Sequence, residues 1–181
     1  SILRKKKNKK TKIITKKIYI NSYIEFLKKI IDTKKIDKKF IVDCSNGASS
    51  YLMSDLFKSF KNIIVINNKP NGKNINRNCG SLHPEVLKKL LIKKNFDYGV
   101  ALDGDSDRCI LVDKKNGLIE SEKVIFIILK ILKDKNKNKN KIVCSSEIVN
   151  KALESNLNKI KYNLVQTKVG DRNVINCFNN F

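Results

Sequence analysis

Phe96-Asp97-Tyr98-Gly99-Val100-Ala101-Leu102-Asp103-Gly104-Asp105-Ser106-Asp107-Arg108 is the stretch that decides the architecture. Its first half is apolar enough for a buried strand. Its second half places three aspartates at alternate positions directly before an arginine. Three carboxylates this close repel one another unless positive charge sits among them. In an extended segment, residues two apart share one side, so Asp103, Asp105 and Asp107 aim at one point. The economical partner is a hard divalent cation with oxygen ligands. Mg²⁺ suits three monodentate carboxylates and leaves positions for water or a phosphate oxygen. Gly104 permits an unusual backbone shape between ligands, and Arg108 is placed to grip a phosphate beside the ion.

The local pattern leaves two other readings open. One is a solvated acidic turn. The other is a phosphatase of the haloacid-dehalogenase type, in which Asp103 would be the nucleophile. An EF-hand is excluded, because its loop needs Gly at the sixth position and Glu at the twelfth, where this chain has Arg108 and Lys114.

Outward from this loop the chain alternates strand and helix. Before it come an amphipathic helix over 18–31, a strand at Phe40-Ile41-Val42, a helix over 48–60 and a strand at Ile63–Ile66. An Asn- and Gly-rich loop over 67–80 follows, then a helix opened by Pro84 and running to about Lys94. After the loop come a strand at 109–112, hairpin-turn chemistry at 113–117 and a helix over 122–133. A strand at 142–144, a helix over 147–157 and a strand at 162–166 begin a second unit.

This pattern predicts an α/β fold. The expectation is a three-layer α/β/α domain with a mixed, mostly parallel sheet, followed by the beginning of a second similar domain. The expected divisions are a basic leader and helix over 1–37, a metal-binding domain over 38–134, a Lys/Asn-rich linker over 135–141 and an incomplete unit over 142–181.

Composition narrows the class. Hydrophobic residues make up 41% of 181 residues, enough for a real core. No apolar run is long enough to span a bilayer, so no membrane partner is expected. The five cysteines form no CxxC pair, which argues against zinc and a disulfide framework and fits reduced thiols in a cytoplasm. The net charge of +22 invites a nucleic-acid reading. Lysine is spread over every segment, however, and few aromatics interleave with the basic runs. Solvated lysine faces are the favoured reading, with a basic nucleic-acid-binding protein as the alternative. The charge still favours anionic substrates.

Three further clusters stand out. Lys168-Val169-Gly170-Asp171-Arg172 follows a strand and suits recognition of a phosphorylated sugar, although an ordinary charged turn has the same composition. Asp43-Cys44-Ser45-Asn46-Gly47 reads as a strand-to-helix turn in which Gly47 tolerates a tight bend; it lacks GxGxxG and GxxxxGK[ST]. His83, the only histidine, is read as a helix-entry residue in preference to a general acid or base.

Together these residues resemble the α-D-phosphohexomutase superfamily, and within it the phosphoglucosamine mutase branch. The matching segments keep the family's order: Asp43–Gly47, Cys79-Gly-Ser-Leu-His-Pro-Glu85, Asp103-Gly-Asp-Ser-Asp-Arg108 and Lys168-Val-Gly-Asp-Arg172. The resemblance implies that Asp103, Asp105 and Asp107 hold Mg²⁺ beside a phosphoserine, and that Arg108 contacts phosphate. It also implies that Gly170, Asp171 and Arg172 bind the substrate, a phosphorylated hexosamine. The implied reaction interconverts glucosamine 6-phosphate and glucosamine 1-phosphate through a bisphosphate. Glucose or mannose phosphates are the alternative within the superfamily.

The family's Thr-Ala-Ser-His/Arg-Asn-Pro serine loop has no counterpart here, nor has its Arg-x-Ser-Gly-Thr phosphate loop. Nothing in the chain matches its Glu-containing sugar loop either. The resemblance thus implies the helix leaving domain 1, all of domain 2 and the opening of domain 3. On that reading the missing domains 1 and 4 are needed for activity. Ser106 stands where the family commonly has glycine, and is expected to be tolerated because it is small.

Overall fold

A computed structural model describes residues 17–31, 36–134 and 141–181. Most of the expected basic leader and of the Lys/Asn linker lies outside the described residues.

The first unit opens with α1 (Lys17–Ile30). The next elements are β1 (Phe40–Asp43), α2 (Ser50–Phe57), β2 (Ile63–Ile66), a short 3-10 turn (Gly80–Leu82) and α3 (Pro84–Lys94). Then come β3 (Tyr98–Leu102), β4 (Cys109–Asp113) and β5 (Gly117–Ile119). The sheet order is β2-β1-β3-β4-β5. β1 pairs in parallel with β2 and β3, whereas β3–β4 and β4–β5 are antiparallel. The sheet is mixed as expected, with a larger antiparallel share because the chain leaves the aspartate loop by turning straight back along β3.

β1 is an inner strand, parallel to both neighbours, and is covered on both faces. On one face Ile41, Ala101 and Val112 pack with Leu87 and Leu91 of α3. On the other, Val42, Cys44 and Ile63 pack with Met53 and Phe57 of α2. The chain leaves β1 toward β2 on one side and returns to β3 on the other. The carboxyl ends of β1 and β3 therefore flank a topological switch point, where open α/β sheets form ligand crevices. Asp43 ends β1, and Asp103 directly follows β3.

Helix boundaries follow local chemistry. α3 has Pro84 at its start, lysines in its last turn and Asn95 at φ 55° as its left-handed cap. α2 begins at Ser50, later than the expected 48; before it, the Ala48 N–H donates to the Gly104 carbonyl at 2.9 Å.

The second unit contains β6 (Ile142–Ser146), α5 (Lys151–Lys159), β7 (Asn163–Thr167) and α6 (Asp171–Phe178), with β6 and β7 parallel. α5 starts at Lys151 instead of 147 because the Asn150 side chain caps it, accepting from the Ala152 N–H at 2.9 Å. α6 is an addition to the expected elements, and its first turn begins where the composition suggests a charged turn.

α4 (Ser121–Asp134) connects the two units. Ser121, Val124 and Ile125 near its start line a cavity against Cys109, Ile110, Leu111 and Ile119. Further along, Leu129 is buried with Leu153, Leu157 and Tyr162 of the second unit, and Ile125 and Phe126 pack on that cluster. Among the described residues no helix is long and apolar enough to cross a membrane.

Candidate metal centre

The aspartate loop folds back on itself. The Asp103 N–H donates to the Arg108 carbonyl at 3.2 Å, and the Ser106 N–H to the Asp103 carbonyl at 3.2 Å. Ser106 reaches φ 67° to close this turn. One carboxylate oxygen from each of Asp103, Asp105 and Asp107 lies within 4.8 Å of the others. Asp103 is buried, whereas Asp105 and Asp107 are exposed. The structure thus brings the three predicted ligands together, with a buried base and an open outer side.

Arg108 lies across the same carboxylates. Its Nε donates to Asp103 Oδ2 at 2.7 Å and to Asp107 Oδ1 at 3.4 Å, and its backbone N–H donates to Asp103 Oδ1 at 3.0 Å. Burial works to raise the Asp103 pKa, but these bonds from Arg108 outweigh it and hold the carboxyl below its ordinary value. Asp107 moves the opposite way. Burial, the shared hydrogen bond with Asp103 and the charges of Asp105 and Asp103 push it up. Bonding to Asp103 pushes Arg108 up in turn.

The donor set fits a hard divalent cation. It is all oxygen, it converges, and a guanidinium already stands among the acids as a cationic counterpart.

The turn after β1 supports this loop, which sequence reasoning missed. Asp43 is buried and accepts from the Ser45 N–H at 2.9 Å and the Gly80 N–H at 3.0 Å. The Ser45 hydroxyl donates to the Leu102 carbonyl. The residues that turn the backbone are Ser45 and Asn46, at φ 55° and 51°. Gly47 is required for a different reason from the expected bend: a Cβ there would overlap the Gly104 oxygen and come within 2.9 Å of its carbonyl carbon. These contacts join segments far apart in sequence, so the only local signal was a buried-type strand ending in Asp and Gly.

His83 stands at the entry to α3, its Nδ1 3.3 Å from Glu85 Oε1. Gly170 precedes α6 at φ 124°, and its carbonyl accepts from the Asn173 N–H at 2.9 Å. Asp171 and Arg172 are exposed in the first turn of α6. Among the described residues, no hydrogen bond or ion pair joins this turn to the aspartate loop.

The chain thus forms a layered α/β domain with an acidic loop at its switch point, and comparisons with known proteins give its family. The phosphoglucomutase/phosphomannomutase α/β/α domain II matches residues 21–117, and α/β/α domain III of the same family matches residues 120–180. The chain belongs to the phosphoglucomutase/phosphomannomutase family. It is 42% identical over 155 residues to a phosphoglucosamine mutase of Clostridium kluyveri, covering 85% of this chain and 34% of that protein. It is 41% identical over 169 residues to a phosphoglucosamine mutase of Thermoanaerobacter pseudethanolicus, covering 91% and 38%. The chain therefore spans about a third of the length of these relatives.

Two solved structures share the fold. A phosphoglucomutase/phosphomannomutase family protein from Burkholderia thailandensis superposes with a TM-score of 0.71 at 20% identity, covering 89% of this chain and 35% of the other. An N-acetylglucosamine-phosphate mutase in its substrate complex superposes with a TM-score of 0.66 at 18% identity, covering 90% and 35%.

Proposed function

We propose that this chain forms the metal-holding part of a phosphosugar mutase acting on glucosamine phosphates. The observation that carries the reading is the convergence of Asp103, Asp105 and Asp107 at the switch point of the sheet, with Arg108 lying among them. Relatives about 40% identical carry the name phosphoglucosamine mutase, and this favours glucosamine over glucose or mannose.

In this reading the three carboxylates hold Mg²⁺. When bound, the ion supplies positive charge to a phosphoryl group in transit between a phosphoserine and the sugar. Asp103 anchors the cradle through its buried position, and Asp105 and Asp107 close it from the solvent side. Arg108 exchanges its bond to Asp103 for a phosphate oxygen, where its planar fork gives a directional grip. Gly170, Asp171 and Arg172 read the substrate, with the exposed Arg172 guanidinium as the phosphate contact.

The phosphoserine belongs to a segment type that the 181 residues do not contain. By itself the chain then binds metal but does not turn over substrate. The buried Cys44 and Cys79 are free thiols, in keeping with work in a reducing cytoplasm.

Calorimetric titration with Mg²⁺ or Mn²⁺ tests the metal reading. One ion per chain is expected, with binding abolished in an Asp105→Asn/Asp107→Asn double variant. Absence of saturable binding in the unaltered chain would remove the proposal. In an assay with glucosamine 6-phosphate and a glucose 1,6-bisphosphate primer, no turnover by the chain alone is expected. Robust turnover would show that the phosphoryl carrier had been misplaced.

A further inference from the structure

We infer that Gly47 is a positioning residue for the metal cradle, setting the direction of the Asp103 and Asp105 carboxylates through the Gly104 carbonyl. The inference rests on the metal reading of the aspartate loop.

The peptide between the first two acids is fixed from several sides. The Ala48 N–H donates to the Gly104 oxygen at 2.9 Å. Gly47 itself lies flat against that carbonyl, leaving no space for a side chain. On the other face, Ile75 and Asn76 close over the Gly104 Cα, so that a Cβ there would lie 2.8 Å from Ile75 Cδ1 and 2.9 Å from Asn76 Nδ2. One residue earlier, the Leu102 carbonyl accepts from the Ser45 hydroxyl. The backbone on both sides of Asp103 is thereby held by a single turn, Ser45–Ala48.

That turn is held in its own right. Asp43 binds its Ser45 N–H and the Gly80 N–H, and the Asn76 N–H donates to the Ser45 carbonyl at 2.9 Å. Any residue larger than glycine at position 47 must push the Gly104 peptide outward. The carboxylates on either side of this peptide then rotate with it. A support of this kind, one step removed from the ligands, is typically worth about 10–100-fold in metal affinity.

The test is Mn²⁺ binding to the 181-residue chain and its Gly47→Ala variant, by calorimetry and by water-proton relaxation, which counts metal-bound waters. Gly47→Ala is expected to weaken Mn²⁺ binding by about 10-fold or more and to add metal-bound water as a carboxylate withdraws. Gly99→Ala is the comparison: its Cβ would lie 2.7 Å from Leu87 Cδ2 in the core. That variant should lose thermal stability while its Mn²⁺ affinity and water count stay unchanged.

Wild-type affinity and water count in Gly47→Ala overturn the inference and leave the metal reading standing. No Mn²⁺ binding by the unaltered chain overturns both. If Gly47→Ala does not fold, Ser45→Ala decides, since it deletes only the hydroxyl bond to Leu102. Weakened binding with extra water supports the inference, and unchanged binding overturns it.

Discussion

The Arg108 Nε lies 2.7 Å from Asp103 Oδ2, with the guanidinium mostly exposed and the carboxylate buried. An exposed cation is thus tied to a buried acid at the spot where an ion is proposed to bind. The two cations compete for one carboxylate, so their effects on stability oppose each other. Replacing Arg108 by Ala leaves three acids without a counter-charge and should lower the melting temperature in metal-free buffer. Added Mg²⁺ should then raise the melting temperature by more in Arg108→Ala than in the unaltered chain. Equal shifts in paired thermal scans would contradict this competition.

Asp103 and Asp105 should respond differently to amidation. Asp103 accepts two bonds from Arg108 within the fold; Asp105 is exposed and offers its oxygen outward. Asp103→Asn should lower both metal affinity and metal-free stability. Asp105→Asn should lower metal affinity alone. Chemical denaturation combined with Mn²⁺ titration separates the two, and identical denaturation midpoints for both variants would argue against an anchoring role for Asp103.

Ser106 holds a left-handed backbone at φ 67°, a conformation that costs an L-residue about 1 kcal/mol or more and glycine very little. Ser106→Gly should therefore stabilise the metal-free chain by about 0.5–1 kcal/mol, reduced somewhat by the added freedom of the unfolded chain. Urea denaturation measures it, and a net loss of stability would mean that the weak 3.5 Å bond from the Ser106 hydroxyl to the Asp103 carbonyl matters more than the backbone.

Thiol reactivity should follow position in the layers. Burial, first of all, pushes the Cys44 thiol up to about 11, and the Asp43 charge adds to this. Cys144 is likewise pushed up to about 11, by burial and then by the neighbouring Cys177 thiol. Cys109 is exposed at the start of β4. With a disulfide reagent near pH 8, Cys109 should react first, whereas Cys44 should require denaturant. Mass spectrometry of time-quenched samples reads the order, and early modification of Cys44 would show that the α2 face opens readily.

Tyr162 is almost wholly buried in the second core, and its hydroxyl has no hydrogen-bond partner among the described residues. A buried hydroxyl without a partner costs about 1–3 kcal/mol. Tyr162→Phe keeps the ring and removes that cost, so it should raise stability by about 1 kcal/mol. A fall in melting temperature would point to a bound water on the hydroxyl.

Much of the frame was legible because its signals are local. Ile41, Val42 and Val100 lie in apolar runs flanked by turn residues, and Pro84 and Asn95 mark the two ends of one helix. The alternation of Asp103, Asp105 and Asp107 is equally local, so the candidate ligands could be read directly. What escaped was non-local or conformational. Ala48 donates its N–H to a carbonyl 56 positions away. Gly47 was read as a bend, but its role depends on the approach of Gly104. Ser106 was judged by size, while the structure shows that backbone angle governs the site. α6 escaped because it follows a glycine and a charged turn that suggest a loop, although Val174, Ile175, Cys177 and Phe178 make half of its eight residues apolar.

α4 gives its opening turn to the cavity beside β4 and its later leucine to the cluster around Tyr162. α4 thus borders the first unit through a cavity and is packed into the core of the second. Because its packing lies with Leu153, Leu157 and Tyr162, the helix should share the thermal fate of the second unit, and heating should strip it together with β6 and β7.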